Sequence, residues 1–409
     1  MHIPPALRHR RFALFWVGLL LAWTGNQFLM WAVPWQISGF TDSPFALGSI
    51  GLIRLAPTIF ISLFAGVIAD RFSRRKVVFV MQSIMGSTAL ILGILTLTKM
   101  IQLWHIYVLL VIHATAFVID LPARYSITPN LVPESDLPNA LSLEMIAFQV
   151  GGIFGPIVNG IIINRFGEFG SYLISAGLFA AMPVALILIG SVQQDTIEMK
   201  SAGVDWDAIR DGVRFTFQHP LILSGMLLDF LATLLTRADS LLPYFARQVL
   251  GVEEFAYGLL TAAPMIGAAL AGIALSQIKV IRHQGKLVLG STLIISIAAI
   301  VFGFSRFYCL SLIALIFAGV GDSVSSIIRS AIRQLHTPDK LRGRMISVNQ
   351  IFFMGGPYLG DVKSGFLGGL IGVPLAVALG GIACIFSVGW VGNRWPELWS
   401  YMGKDVPPD

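Results

Sequence analysis

Long apolar runs, broken by short polar interruptions, make up almost the whole chain. Their approximate limits are 12–38, 45–69, 77–98, 104–127, 138–164, 170–192, 220–247, 255–277, 287–304, 307–332, 343–370 and 373–393. Each is close to the ~20 residues that an α-helix needs to cross a bilayer, so the pattern predicts an all-α membrane protein of twelve transmembrane helices. The longest polar stretch, near 193–219, is too short to fold alone. Within it Trp206, Ile209, Val213 and Phe217 step at helical spacing, with Asp207, Arg210, Asp211 and Arg214 on the other faces. That spacing predicts an amphipathic helix lying along the membrane surface.

The halves repeat. Laying residues 124–167 on 329–372 matches Arg124 to Arg329, Pro133 to Pro338, Gly151 to Gly356, Gly155 to Gly360, Gly160 to Gly365 and Gly167 to Gly372. Ten of the 44 positions are identical, against roughly three or four by chance for so skewed a composition. Two pseudo-symmetric six-helix bundles follow, 1–195 and 219–409, joined by a linker over 196–218. A chain of two such parallel halves is a transporter architecture, with substrate bound at mid-depth.

Composition agrees: 56% of residues are hydrophobic and 12% charged, too apolar for a soluble globule. The first run is much longer than a signal-peptide core and is read as a span. The net charge of +6 comes from basic residues in short loops, which excludes a nucleic-acid surface as the simplest explanation. With both termini inside, the cytoplasmic segments hold 21 Lys and Arg and the opposite side four, which orients the chain in the plasma (inner) membrane. Cys309 and Cys384 lack metal-ligand spacing, so neither a metal site nor a disulfide is expected. No phosphate-binding Gly-x-x-x-x-Gly-Lys loop, His-Glu-x-x-His pair or Gly-x-Ser-x-Gly elbow occurs. The chain is therefore not expected to be an enzyme or to use ATP.

The loop between the second and third runs, Gly66-Val67-Ile68-Ala69-Asp70-Arg71-Phe72-Ser73-Arg74-Arg75-Lys76, resembles the Gly-x-x-x-Asp-Arg-x-Gly-Arg-Arg latch of the major facilitator superfamily, with Ser73 in place of a glycine. The resemblance implies a cytoplasmic gate built from Gly66, Asp70, Arg71, Arg74 and Arg75, with Arg124 a partner of Asp70 and Arg329 its counterpart in the second half. Gly151, Gly155 and Pro156 form a packing strip and a bend point. They also resemble the family's antiporter signature, with Asn159 replacing one glycine, which implies export. Asp239 to Arg247, Arg329 to Arg344 and Pro122 to Pro133 are similar to the enterobactin-exporter and macrolide-efflux branch. Relatives of this kind carry an acid in the first span, where this chain has Asn26 and Gln27.

Ionisable groups inside spans are costly, so function is their default explanation. Burial of a carboxylate favours its protonated form, so such a group can bind and release a proton. Glu144, Asp229 and Asp322 are the candidates for proton coupling, each with the alternative of a fixed bridge to an Arg. Arg54, Arg237, Asp239, Asn26 and Gln27 are candidates for the cavity. Asp120 and Arg124, four apart, are expected to pair along one helix. Asp361 and Lys363 point to different faces and need separate partners, and His113 is read first as a hydrogen-bonded core residue. The expected function is secondary export of a small amphipathic molecule, a siderophore or drug-like compound. It would use the proton gradient and no cofactor, in a monomer whose other partner is the bilayer. An uptake symporter and a non-transporting receptor or scaffold are the alternatives. Cysteine-accessibility labelling should find positions 41–44 on the outer face and 193–205 on the inner face; labelling of both from one side would refute this topology.

Overall fold

The computed structural model describes residues 4–191, Arg210 and 214–403, and is helical with no strand among them. In hydrocarbon every backbone N–H and C=O must find its partner within the segment, which the helix alone supplies locally. The long helices are α1 (Arg10–Phe40), α2 (Pro44–Arg71), α3 (Arg74–Leu97), α4 (Leu103–Tyr125), α5 (Leu137–Ile189) and α6 (Pro220–Thr236). They continue with α7 (Glu254–Ser276), α8 (Gln284–Phe304), α9 (Tyr308–His336), α10 (Asp339–Ile371) and α11 (Val373–Arg394), followed by the short α12 (Pro396–Ser400).

Ten helical stretches among the described residues are long and apolar enough to cross a membrane. One of them contains α5, which is two spans in one run. Its 53 residues turn at Gly167, whose φ of 72° and ψ of −178° are not helical. The matching break between α10 and α11 falls at Gly372, with φ 89°. These two glycines are partners in the sequence repeat, and only glycine adopts such angles without steric cost. The 33-residue α10 occupies the remaining expected span. Together these helices give the all-α membrane architecture that the apolar runs predict. The amphipathic helix expected around Trp206, Ile209 and Val213 lies outside the described residues, as does most of the 196–218 linker; Phe217, at its end, is helical and exposed.

The chain forms two compact units. Unit 1 comprises Met1–Phe40, Ala56–Val204 and Glu253–Ala262; unit 2 comprises Thr41–Leu55, Asp205–Val252 and Ala263–Asp409. Glycine packing helps set which helices share a unit. In unit 2 a Cβ on Gly51 of α2 would fall 2.5 Å from the Tyr358 carbonyl oxygen of α10 and one on Gly365 would run into the Gly48 backbone. In unit 1 a Cβ on Gly258 of α7 would fall 2.6 Å from the Pro156 carbonyl oxygen of α5. The first part of α2 therefore packs with α10, and the first part of α7 with α5.

Each unit has its own apolar core. Phe12, Phe15, Val78, Met85, Phe179 and Met182 are buried together in unit 1. Leu228, Val288, Ile328, Val391 and Leu398 do the same in unit 2. The tail after α11 belongs to that second core: Leu398 is fully buried, and the Gly285 N–H donates to the Tyr401 carbonyl at 3.0 Å.

Alanine substitutions at two helical glycines should change stability in opposite directions. Gly177→Ala meets nothing within 4 Å and should stabilise by up to about 1 kcal/mol through helix propensity. Gly365→Ala forces α10 off α2 and should destabilise by about 1–3 kcal/mol. Thermal unfolding of the purified protein in detergent measures both, and equal shifts would show that the glycine contact is not tight.

Candidate functional site

In unit 1 the charges gather on α4. The Asp120 carboxylate lies 3.1 Å from the Arg124 guanidinium one helical turn on, with both side chains buried. The Gln82 side-chain amide of α3 donates to Asp120 at 3.1 Å. The Arg124 guanidinium stands 4.6 Å from the centre of the Trp23 ring of α1, a cation–π contact. Arg124 is thus held within its own bundle by Asp120 and Trp23. The side chains of Gly66 and Asp70, its expected gate neighbours, lie outside the described residues, although their backbone continues α2. Of the other gate residues, Arg71 is exposed, Arg74 donates to the Ser126 carbonyl at 3.2 Å and Arg75 to the Leu186 carbonyl at 3.1 Å.

Glu144 of α5 accepts a hydrogen bond from the Thr128 hydroxyl and also feels the charge of Arg124. Deeper in the same unit, Asn26 Oδ1 lies 3.2 Å from His113 Nε2, and His113 Nδ1 lies 3.2 Å from the Thr88 hydroxyl. His113 is thus a hydrogen-bonded core residue. Gln27 is buried where Gly155 presses on α1: a Cβ on Gly155 would fall 2.8 Å from the Gln27 Cβ, and one on Gly151 3.3 Å from the Trp23 Cβ. Asn159, which takes a glycine's place in the signature, donates to the Phe28 carbonyl at 3.2 Å and accepts from the Ser171 hydroxyl. It ties α1 to both arms of α5, a role that no spacing in the sequence reveals.

Unit 2 holds a cavity of about 150 Å³ among α6, α7, α8, α9 and α11. Asp229, Arg237, Asp239, Asp322 and Arg329 all line it. Two of these acids are committed. Arg329 of α9 donates to Asp229 of α6 at 2.7 Å, with both side chains at most 9% exposed. Arg237 and Asp239 pair at 3.5 Å and are 37% and 32% exposed, a looser and wetter bridge. Asp322 has no hydrogen bond or ion pair to any described residue; the charges it feels most are Arg237, Asp229 and Arg329.

Arg54 does not line this cavity. It belongs instead with Tyr358 and Asp361 of α10, whose charges it influences, because Gly51 brings α2 against that helix. Asp361 accepts from the Ser240 backbone N–H at 3.1 Å, while the Lys363 ammonium donates to the Leu235 carbonyl. Two residues apart, they do find separate partners. The sequence set Asp229 among the proton carriers and Arg329 among the gate residues; the structure joins them in one buried bridge. Asn26 and Gln27, expected in the cavity, lie in unit 1 beside His113 and Gly155 and are not among the residues that line the unit 2 pocket.

The bridge can be tested by a double-mutant cycle. Asp229→Leu alone strands a buried guanidinium and should cost about 3–5 kcal/mol, while pairing it with Arg329→Met should recover most of the loss. Denaturation of the purified variants gives the coupling energy; additive losses would mean that the pair is not a unit.

Residues 3–395 match the family model described as transmembrane secretion effector. The enterobactin exporter EntS of Salmonella typhi is 26% identical over 349 residues, covering 85% of this chain and 83% of the relative. Among solved structures, an inward-facing bacterial homologue of the lysosomal transporter Spinster superposes with a TM-score of 0.71 at 14% identity, covering 97% of both chains. A POT family transporter bound to a thioalcohol-conjugated peptide gives 0.72 at 12% identity, covering 95% of this chain and 96% of that one. At such identities the structures establish the shared fold. With nearly the whole chain matched, this multi-pass membrane transporter belongs to the transmembrane secretion effector family of the major facilitator superfamily.

Proposed function

We propose that this transporter exports a small amphipathic compound, a siderophore or a drug-like molecule, by proton-driven alternating access in the plasma membrane, with both termini cytoplasmic. The observation that carries the coupling is Asp322, an acid without a hydrogen bond or ion pair among the described residues that faces a cavity inside the bundle. Asp229 is fixed by Arg329, and Glu144 is held by Thr128. Asp322 is therefore the carboxylate with the most freedom to exchange a proton. A proton arriving there removes a charge beside Arg237 and loosens the balance that holds α9 against α6. Loss of that proton to the other face restores it, and the two states bias the bundle differently.

Direction rests on the relatives. The family's description and the exporter name carried by the Salmonella typhi relative both support outward transport. Enterobactin-type siderophores are the substrate class that those relatives supply, and drug-like compounds are the alternative within the branch. Arg237 lines the cavity, but its charge is met there by Asp239, so the lining suits a polyphenolic group better than an anionic one.

Inverted membrane vesicles loaded with a proton gradient should accumulate the substrate from a panel of siderophores and amphipathic drugs. Asp322→Asn should lower the gradient-dependent rate by at least about tenfold, equivalent to ~1.4 kcal/mol in the transport barrier. Glu144→Gln should have a smaller effect. Transport that persists in Asp322→Asn and after the gradient is collapsed would overturn the coupling. Gradient-driven movement in the opposite direction would make the protein an uptake symporter.

A further inference from the structure

We infer that the cavity of unit 2 is a binding pocket for a single six-membered aromatic ring carrying a hydrogen-bond donor, a benzylic ammonium or a phenol hydroxyl, and that it rejects an aryl carboxylate. This deepens the export reading and rests on it for the pocket's place in transport, though the binding itself stands on the geometry alone.

Size comes first. The cavity measures about 150 Å³, and an apolar protein cavity of about 150 Å³ takes up one benzene molecule. A larger amphipathic compound would insert one ring, with the rest of the molecule outside this pocket.

Its lining is both apolar and charged. Pro264, Met265, Ile295, Phe302, Leu315 and Ala318 supply apolar surface from α7, α8 and α9. Asp229, Arg237, Asp239, Asp322 and Arg329 supply the charge. An apolar box with a few convergent polar groups orients a ligand by its polar substituent.

Charge then sets the substituent. Arg329 is bridged by Asp229 and Arg237 by Asp239, which leaves Asp322, the third acid beside two arginines, as the charged group of the lining without a bridge of its own. A free carboxylate accepts hydrogen bonds and donates none when ionised. An ammonium or hydroxyl on the ring satisfies it, whereas a ring carboxylate brings a like charge into a poorly solvated space. The proton proposed to visit Asp322 would compete with a cationic ligand for the same charge, whereas a phenol hydroxyl can still donate to the carbonyl oxygen of the protonated acid.

The test uses the purified full-length protein in detergent and isothermal titration with three probes of equal ring size: phenol, benzylammonium and benzoate. Phenol and benzylammonium should bind at least about tenfold more tightly than benzoate, a difference of ~1.4 kcal/mol. Ala318→Leu and, independently, Ala268→Leu, each filling part of the cavity, should weaken phenol by about tenfold. Asp322→Asn leaves the volume unchanged and should bring benzoate to within about threefold of phenol. Equal affinities for the three probes, or phenol binding indifferent to both leucine variants, would overturn the pocket. Probe binding as described in a protein without gradient-driven transport would defeat the export reading and leave the pocket standing. Gradient-driven export with phenol binding unaffected by both leucines would do the reverse.

Discussion

A charge enclosed by apolar helices must find its counter-charge or a backbone dipole inside the bundle, because no bulk water is there to solvate it. The interior of this protein follows that constraint residue by residue. Asp120 is met by Arg124 and Gln82, Asp229 by Arg329, Asp361 by the Ser240 N–H and Lys363 by the Leu235 carbonyl. These partnerships fix the rotation of α4 against α3, of α6 against α9, and of α10 against the segments around Leu235 and Ser240. Against that background an acid with none of these arrangements among the described residues, Asp322 in its cavity, is conspicuous on energetic grounds.

Glycine contacts set the distances over which those charges meet. In unit 1, Gly151 and Gly155 bring α5 onto α1 at Trp23 and Gln27; in unit 2, their repeat partners Gly356 and Gly360 bring α10 onto α6 at Thr233 and Arg237. Small residues at helix crossings allow such backbone approach, and dispersion between close-packed backbones repays it. The consequence is positional: Gln27 and Arg237 occupy corresponding places in the two halves, one neutral and packed under a glycine strip, the other charged and lining a cavity. The same scaffold therefore carries a polar core in one unit and an ionic pocket in the other.

The paired arginines of the repeat show how far the symmetry extends. Arg124 and Arg329 are matched in sequence, yet Arg124 takes its acid from one turn back on its own helix, while Arg329 takes Asp229 from another. An i,i+4 pair restrains one helix and is modest in strength. A buried pair between helices is lost only if the two separate, so it resists exactly the displacement that a moving bundle would need. Unit 2, with its inter-helix bridge, its loose Arg237–Asp239 bridge and the unbridged Asp322, carries the charges that a change of state can rearrange.

Much of this was legible in the chain itself. Apolar run length specified the helices because hydrocarbon permits little else. The 205-residue offset specified the repeat, down to Gly167 and Gly372, since only glycine tolerates the positive φ that both junctions use. Spacing of four also anticipated the Asp120–Arg124 pair, an interaction contained within one helical turn. What the sequence by itself did not determine were the partners separated by a hundred residues or more. Whether Asp229 was a proton carrier or half of a bridge, and whether Arg54 faced a cavity or Asp361, depended on helix rotation and crossing. Those are decided by the packing of whole faces, and no local pattern encodes them. The tertiary structure also decided that the start of α2 packs on α10 and the start of α7 on α5. A glycine's packing partner is chosen by the shape of the helix it meets, and that shape exists only once the bundle has formed.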